Sequence, residues 1–189
     1  MGRGRLAAEV LAAMALAVAG CQPGRPAGQG FVREAAGQPD VPLRYPSATY
    51  QLARGGRVHM VLFRRLAGEA EPSAGPDAGD FEYVFLDLPE RPHYGWVRED
   101  AVPAWRWVRQ GGRDRVWHAA SGRAALGFSP DKASIQARIE ATLVPLVPPE
   151  GPVEILKGGA VLREDVRRTQ GLLNKYGGPL HALVAEAER

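Results

Sequence analysis

The stretch that decides the fold class is residues 105–118, which read Trp-Arg-Trp-Val-Arg-Gln-Gly-Gly-Arg-Asp-Arg-Val-Trp-His. Large apolar and charged residues alternate on both sides of a central Gly-Gly pair, as they do in half-buried strands. Two-residue hairpin loops need positive φ angles, which glycine adopts at little cost. The implied register pairs, on one face, Arg109 with Asp114, Trp107 with Val116 and Trp105 with His118, and on the other face Val108 with Arg115 and Arg106 with Trp117. Opposite charges, apolar side chains and a cation–π pair therefore meet, which predicts a β-hairpin.

Two further Gly-Gly pairs, Gly55-Gly56 and Gly158-Gly159, also lie between strand-like runs. Interpreted as two-residue turns, they predict two more hairpins. The first would pair Tyr50 with Val61, Leu52 with His59 and Ala53 with Val58. The second would pair Leu156 with Val161, Ile155 with Leu162 and Glu154 with Arg163. Hairpins of this kind are typical of an antiparallel sheet.

Three other segments have strand character, while one is ambiguous. Residues 58–66 and 81–88 are rich in apolar and aromatic residues, and residues 122–128 predict a shorter strand. Residues 132–147 could form a helix with Ile135, Ile139 and Leu143 on one face. Apolar residues also alternate strictly from 135 to 143, which favours a half-buried strand.

The C-terminal region predicts one helix, over about residues 165–176. Glu164-Asp165 supplies negative charge at its start, and Gly177-Gly178 is expected to end it. The sequence therefore predicts a mainly β fold, an antiparallel sandwich or small barrel built from hairpins, with one C-terminal helix. An N-terminal signal helix would precede this domain.

Composition and charge exclude some classes of function. The chain has 189 residues, 45% of them hydrophobic and 24% charged, which suits one globular domain with targeting or linker segments. Its formal net charge is only +3, and no run of five like charges occurs, so nucleic-acid binding is not expected. The single cysteine, Cys21, rules out an internal disulfide.

The first 21 residues have the layout of an export signal. Arg3 and Arg5 precede an apolar run over residues 10–19, which is too short to cross a membrane as a helix. The segment Val18-Ala19-Gly20-Cys21 resembles the lipobox of bacterial lipoproteins. That resemblance implies cleavage between Gly20 and Cys21, attachment of a diacylglycerol to the thiol and acylation of the new amine.

Three regions follow from this interpretation: a signal peptide over 1–20, a lipidated cysteine with a flexible Pro/Gly tether over 21–46, and a β-rich domain over 47–189. The expected location is the cell envelope, with the lipid holding the protein on a membrane. In a cell with two membranes, Gln22 after the cysteine is compatible with the periplasmic face of the outer membrane. A buried N-terminal helix or an unlipidated secretory signal are the alternatives.

No catalytic motif is recognisable in the sequence. It lacks a Gly-x-Ser-x-Gly turn, a phosphate-binding loop ending in Lys-Ser/Thr, a His-Glu-x-x-His pair and paired cysteines for zinc. Catalytic residues, metals and cofactors are therefore not assigned. The four histidines (59, 93, 118 and 181) are expected to be ordinary structural or surface residues.

Tryptophans are the residues with most bearing on function. Trp105 and Trp107 are expected in the core, whereas Arg106, Trp117 and Trp96 form a possible ligand surface. The first hypothesis is a non-catalytic envelope lipoprotein whose domain binds an envelope protein partner or has a structural role. The alternatives are glycan or small-ligand binding through the Trp-bearing hairpin, and a hydrolase that uses unrecognised carboxylates.

Overall fold

The computed structural model describes residues 30–66, 79–89, 96–99, 102–130 and 133–189. Its strands are β1 (Gly30–Ala35), β2 (Val41–Leu43), β3 (Ser47–Ala53), β4 (Arg57–Arg65), β5 (Phe81–Pro89), β6 (Trp96–Glu99), β7 (Ala104–Gln110), β8 (Arg113–Phe128), β9 (Ser134–Val147) and β10 (Glu154–Glu164). A C-terminal helix follows in three segments: α1 (Val166–Leu172), a π-helical segment (Leu173–Gly177) and α2 (Gly178–Ala187).

Seven strands close into a barrel in the order β10-β3-β4-β5-β7-β8-β9, with β9 pairing again with β10. All these pairs are antiparallel except β3 with β10, which is parallel and short: only Thr49 with Arg163 and Tyr50 with Glu164. β1 and β2 extend the sheet beside β10, and β6 pairs with the far half of β8. The predicted mainly β fold with a small barrel and a C-terminal helix is confirmed. The predicted signal helix lies outside the described residues.

The barrel interior is filled by side chains of alternating residues, because successive residues of a strand point to opposite faces. β4, β5 and β9 together contribute Val58, Met60, Leu62, Val84, Leu86, Leu88, Ile135, Ile139 and Leu143, each no more than 2% exposed. The predicted strand over 132–147 is confirmed as β9, whose residues from Ile135 to Leu143 alternate between the interior and the outside.

A second apolar layer lies outside the barrel wall. Tyr176 and Leu180 of the C-terminal helix pack against outward side chains of β4, β5, β7 and β8, namely Val61, Phe81, Tyr83, Trp107 and Val116. Tyr176 lies at the centre of this layer, with ring centroids 4.8 Å from Phe81 and 5.2 Å from Phe63. The helix therefore covers one side of the barrel instead of entering it.

The three predicted hairpins have three different outcomes. The register predicted around Gly111-Gly112 is confirmed pair for pair. Around Gly55-Gly56 a hairpin forms, but the predicted register is wrong by one residue, since Tyr50 pairs with Met60 and Ala53 with Arg57. The loop between the two strands is one residue longer than predicted. As a result Tyr50 and Met60, both fully buried, lie on the same inward face.

The hairpin predicted at Gly158-Gly159 is wrong. Both glycines lie inside the continuous strand β10, between β9 and β1. A Cβ on Gly158 would come within 2.3 Å of the Gly30 carbonyl oxygen, so glycine is needed there for the close approach of β1. The Gly-Gly pair marks a tight strand contact and not a turn.

The flexible tether predicted over 21–46 is wrong from Gly30 onward. Residues 30–35 and 41–43 are strands, and Phe31, Leu43 and Tyr45 are at most 1% exposed. Pro42 is compatible with a strand because β2 lies at the edge of the sheet, where its missing N–H costs no ladder bond. The folded unit therefore begins before residue 47, and residues 21–29 lie outside the described part.

The C-terminal helix begins where the sequence predicts it but does not end there. Asp165 caps it by accepting a hydrogen bond from the Arg168 N–H at 2.8 Å. The expected end at Gly177-Gly178 is wrong, since both glycines adopt right-handed helical angles and the helix runs on to Ala187. Burial of Leu180 on the barrel wall favours this continuation. Within the described residues, no helix has the length and apolarity to cross a membrane.

Candidate functional site

One end of the barrel interior contains charges instead of aliphatic side chains. Glu82 of β5, Arg106 of β7 and Glu154 of β10 are each at most 2% exposed and form what we call the ionic cluster. Arg106 donates from Nε to Glu82 Oε1 at 2.6 Å and from Nη1 to Glu154 Oε2 at 2.5 Å. A single guanidinium thus joins two carboxylates from opposite walls of the barrel.

Glu82 is held by two further donors. Arg64 Nε donates to its Oε2 at 2.5 Å, and the Tyr45 hydroxyl donates to its Oε1 at 2.8 Å. Burial by itself would raise the pKa of Glu82, but the guanidiniums of Arg106 and Arg64 outweigh burial and hold that pKa below its ordinary value. Glu82 is therefore an ionised anchor of the cluster.

Glu154 is the less compensated carboxylate. Its other oxygen, Oε1, lies 3.5 Å from Arg33 Nη1, beyond a good hydrogen bond. Burial raises the pKa of Glu154 above its ordinary value, although Arg106 and Arg33 oppose the rise. Of the two carboxyl groups, Glu154 is the one whose charge is more easily changed by its surroundings.

Glu154 also lines a cavity of about 380 Å³ at this end of the barrel, which we call the mouth cavity. Its walls include Arg33 of β1, Arg115 and Trp117 of β8, and residues between 145 and 152 at the end of β9 and in the loop to β10. Two guanidiniums on these walls face one carboxylate that Arg106 already engages from below. The mouth cavity therefore carries excess positive charge.

Trp117 closes the inner side of the mouth cavity. Its ring lies 4.6 Å from the Arg106 guanidinium carbon, and its Nε1 donates to the Pro152 carbonyl oxygen at 3.2 Å. Only 4% of Trp117 is exposed, so its face is covered by Arg106 and cannot serve as a platform for a sugar ring. The ring supports the site and presents little surface to a ligand.

The predicted ligand surface is divided by the fold. Arg106 and Trp117 do meet through the predicted cation–π contact, inside the barrel end and not on an open surface. Trp96 pairs with Ala125, which lies eight residues along β8 from Trp117, at most about 26 Å at the rise of a strand. Of the two tryptophans expected in the core, Trp107 is buried under the helix and Trp105 is half-buried. Gly20 and Cys21 lie outside the described residues.

Sequence reasoning did not identify Glu82, Glu154 or Arg33 as members of a site. A signal for Glu82 existed, because it shares the inward face of β5 with Val84 and Leu86, where an isolated acid needs a partner. Glu154 and Arg33 had no such signal, since one was assigned to a hairpin and the other to the tether. Glu154 reaches the site through the pairing of β10 with β9, and Arg33 through the pairing of β1 with β10.

Histidines and acidic residues do not assemble into a metal site in the part of the chain that the structure describes. There, no group of three or more His, Cys, Asp or Glu side chains could hold a metal ion. Glu82 and Glu154 converge on Arg106, but Glu82 is fully buried and saturated with donors, so this pair does not match two carboxylates flanking a substrate.

Comparison with known proteins gives no relative: no family model, curated protein or solved structure matches this chain.

Proposed function

We propose that this chain is a cell-envelope lipoprotein, held on a membrane through Cys21, whose barrel binds an acidic group of an envelope partner in the mouth cavity. The positively charged mouth cavity carries the second half of this proposal, and the lipobox-like segment 18–21 carries the first. In a cell with two membranes, the expected position is the periplasmic face of the outer membrane.

The chemistry of the mouth cavity favours a carboxylate as its occupant. A guanidinium presents donors in a fixed fork that matches a carboxylate, and such charge-assisted hydrogen bonds are stronger than neutral ones. Arg115 is exposed on the wall, and Arg33 lies beside the buried Glu154. Acidic side chains or the C-terminal carboxylate of a partner protein have the required chemistry.

Binding can be tested with N-acetylglutamate, followed through the indole N–H signal of Trp117 in a nitrogen–proton NMR spectrum. That N–H donates to Pro152 at the cavity wall, so occupancy should shift its signal in a saturable way. We expect Arg115→Gln to weaken binding about tenfold, the cost of one charge-assisted hydrogen bond. Arg113→Gln removes the same charge from an exposed position near the hairpin turn and should leave binding unchanged.

Equal weakening by the two variants would mean that only net charge matters, and a Trp117 signal that never moves would refute binding in the mouth cavity. Anchoring is tested separately by the intact mass of membrane-extracted protein, wild type beside Cys21→Ala. We expect a diacylglyceryl mass in the wild type and release of the variant from the membrane. A wild-type chain without that mass would refute the lipid anchor while leaving the cavity test unaffected.

A further inference from the structure

A second cavity, of about 260 Å³, lies on the opposite side of the barrel wall, under the C-terminal helix. Its floor is made of Phe85 and Trp105, whose rings stack at 16° with centroids 5.8 Å apart. Leu173 and Gly177 of the π-helical segment form its roof. We call this cavity the helix crevice.

Two histidines border the aromatic floor. The His59 ring meets Phe85 edge-on at 5.6 Å, and the exposed His181 ring lies 6.4 Å from Trp105. His59 also has polar neighbours, with Gln51 Nε2 3.4 Å from its Nδ1 and Asp87 Oδ1 3.5 Å from its Nε2. The helix crevice therefore combines a stacked pair of aromatic rings with imidazole groups at its sides.

Gly177 lines this space without a side chain. Its backbone is right-handed helical, with φ −64° and ψ −48°, and a Cβ there would meet nothing within 4 Å. Glycine is among the least favourable residues in a helix interior, and neither conformation nor crowding requires it at this position. Gly178 differs, because it precedes Pro179 and glycine avoids the clash that a Cβ would make with the proline ring.

The backbone at the same place is a π-helical segment. Such segments are rare and are found frequently at functional sites, since they cost stability relative to a regular helix. Here the segment coincides with the unneeded glycine and with the roof of an aromatic cavity. Gly177 and the π-helical backbone, both unfavourable in a helix, thus occur together at this cavity.

We infer that the helix crevice is a binding site for a flat, apolar aromatic molecule that packs against the Phe85–Trp105 ring pair beneath Gly177. Its volume suits about one or two fused rings, given that a dry cavity of about 150 Å³ accepts benzene. Edge-to-face or offset contact with this ring pair would orient the ligand, and an imidazole at either side can pair with one polar atom of the ligand. This site shares no residue with the mouth cavity.

The test uses fluoroindole and the full chain, with binding followed by fluorine NMR. Gly177→Leu fills the helix crevice and should weaken binding about tenfold or more. Gly171→Leu is the matched control, because Gly171 is an exposed helical glycine with no atom near its Cβ position and no place in the crevice. It should bind fluoroindole as the wild type does.

Thermal unfolding shows whether both variants fold, and each should melt at or above the wild-type temperature because leucine favours the helix more than glycine does. If Gly177→Leu lowers the melting temperature, Trp105→Ala replaces it, and loss of binding in that variant is expected on the same grounds. Unchanged binding in a folded Gly177→Leu protein overturns the inference. So does an equal loss in Gly171→Leu.

Discussion

The two faces of β5 bury different kinds of side chain, although these side chains are neighbours in sequence. Inward, Glu82 is followed by aliphatic residues, and its charge is satisfied by donors from other strands. Outward, Phe81 and Tyr83 contact the Tyr176 ring of the C-terminal helix, and Phe85 packs against the same apolar layer. Alternation decides which face a residue occupies, whereas the elements on that face decide whether a polar atom finds a partner.

Removal of the Arg106 guanidinium, which Glu82 and Glu154 share, should cause the largest loss of stability. Arg106→Ala leaves Glu82 and Glu154 buried without their common partner, and we expect the unfolding free energy to fall by about 3–5 kcal/mol. Arg123→Ala is the control, because it breaks an exposed pair with Glu140 and should cost less than about 1 kcal/mol. Urea unfolding measures both, and similar losses would contradict the assigned importance of the ionic cluster.

The same Tyr→Phe substitution can be made at one buried tyrosine in the barrel interior, Tyr45, and at one on the outward face of β5, Tyr83. The Tyr45 hydroxyl donates to ionised Glu82, so Tyr45→Phe should cost about 1.5–3 kcal/mol. Among the described residues the Tyr83 hydroxyl has no hydrogen-bond partner, so Tyr83→Phe should change stability by less than about 0.5 kcal/mol or increase it. Chemical unfolding of the two variants compares the faces directly, and a larger loss from Tyr83→Phe would reverse our interpretation.

The smallest expected effect is a change in pH dependence. Because burial raises the pKa of Glu154 above 4.5, the stability linked to its protonated form is complete below pH 4.5 and is lost as pH rises through the folded pKa. Each unit of difference between the folded and unfolded pKa corresponds to about 1.4 kcal/mol.

Glu154→Gln cannot ionise and should therefore show a flatter stability profile above pH 4.5, whatever its absolute stability. Asp114 is the control, since its hydrogen bond from Arg109 lowers its pKa, and Asp114→Asn should change only the acidic limb of the profile. Stability measured by urea unfolding at several pH values distinguishes the two. A wild-type slope retained in Glu154→Gln would assign the dependence to another group.

Local patterns predicted the parts of the fold that local physics controls. The Gly111-Gly112 hairpin has a strong turn and complementary side-chain pairs, so its register follows from fourteen residues. The alternation of residues 135–143 correctly favoured a strand over a helix. Asp165 begins the helix because a cap needs only its own side chain and the next turn.

Errors occurred wherever a distant element supplies the stabilising contact. Gly158 is explained only by β1, and the β1 segment was assigned to a tether because its composition is rich in Pro and Gly. The helix continues past Gly177 because Leu180 packs on the barrel wall. The ionic cluster depends on β5, β7 and β10 together, so no single segment could predict it.

The parallel contact between β3 and β10 has a consequence for how the barrel forms. Thr49 must find Arg163 across most of the described chain, and contacts of such sequence separation slow folding. The closure is reinforced by the α1 residue Thr169, whose hydroxyl donates to the Thr49 hydroxyl at 2.9 Å, and by the Asp165 N–H bound to the Tyr50 carbonyl oxygen. The barrel can therefore close only after its last strand and the start of the helix have been synthesised, because the two strands that complete the ring lie at opposite ends of the folded sequence.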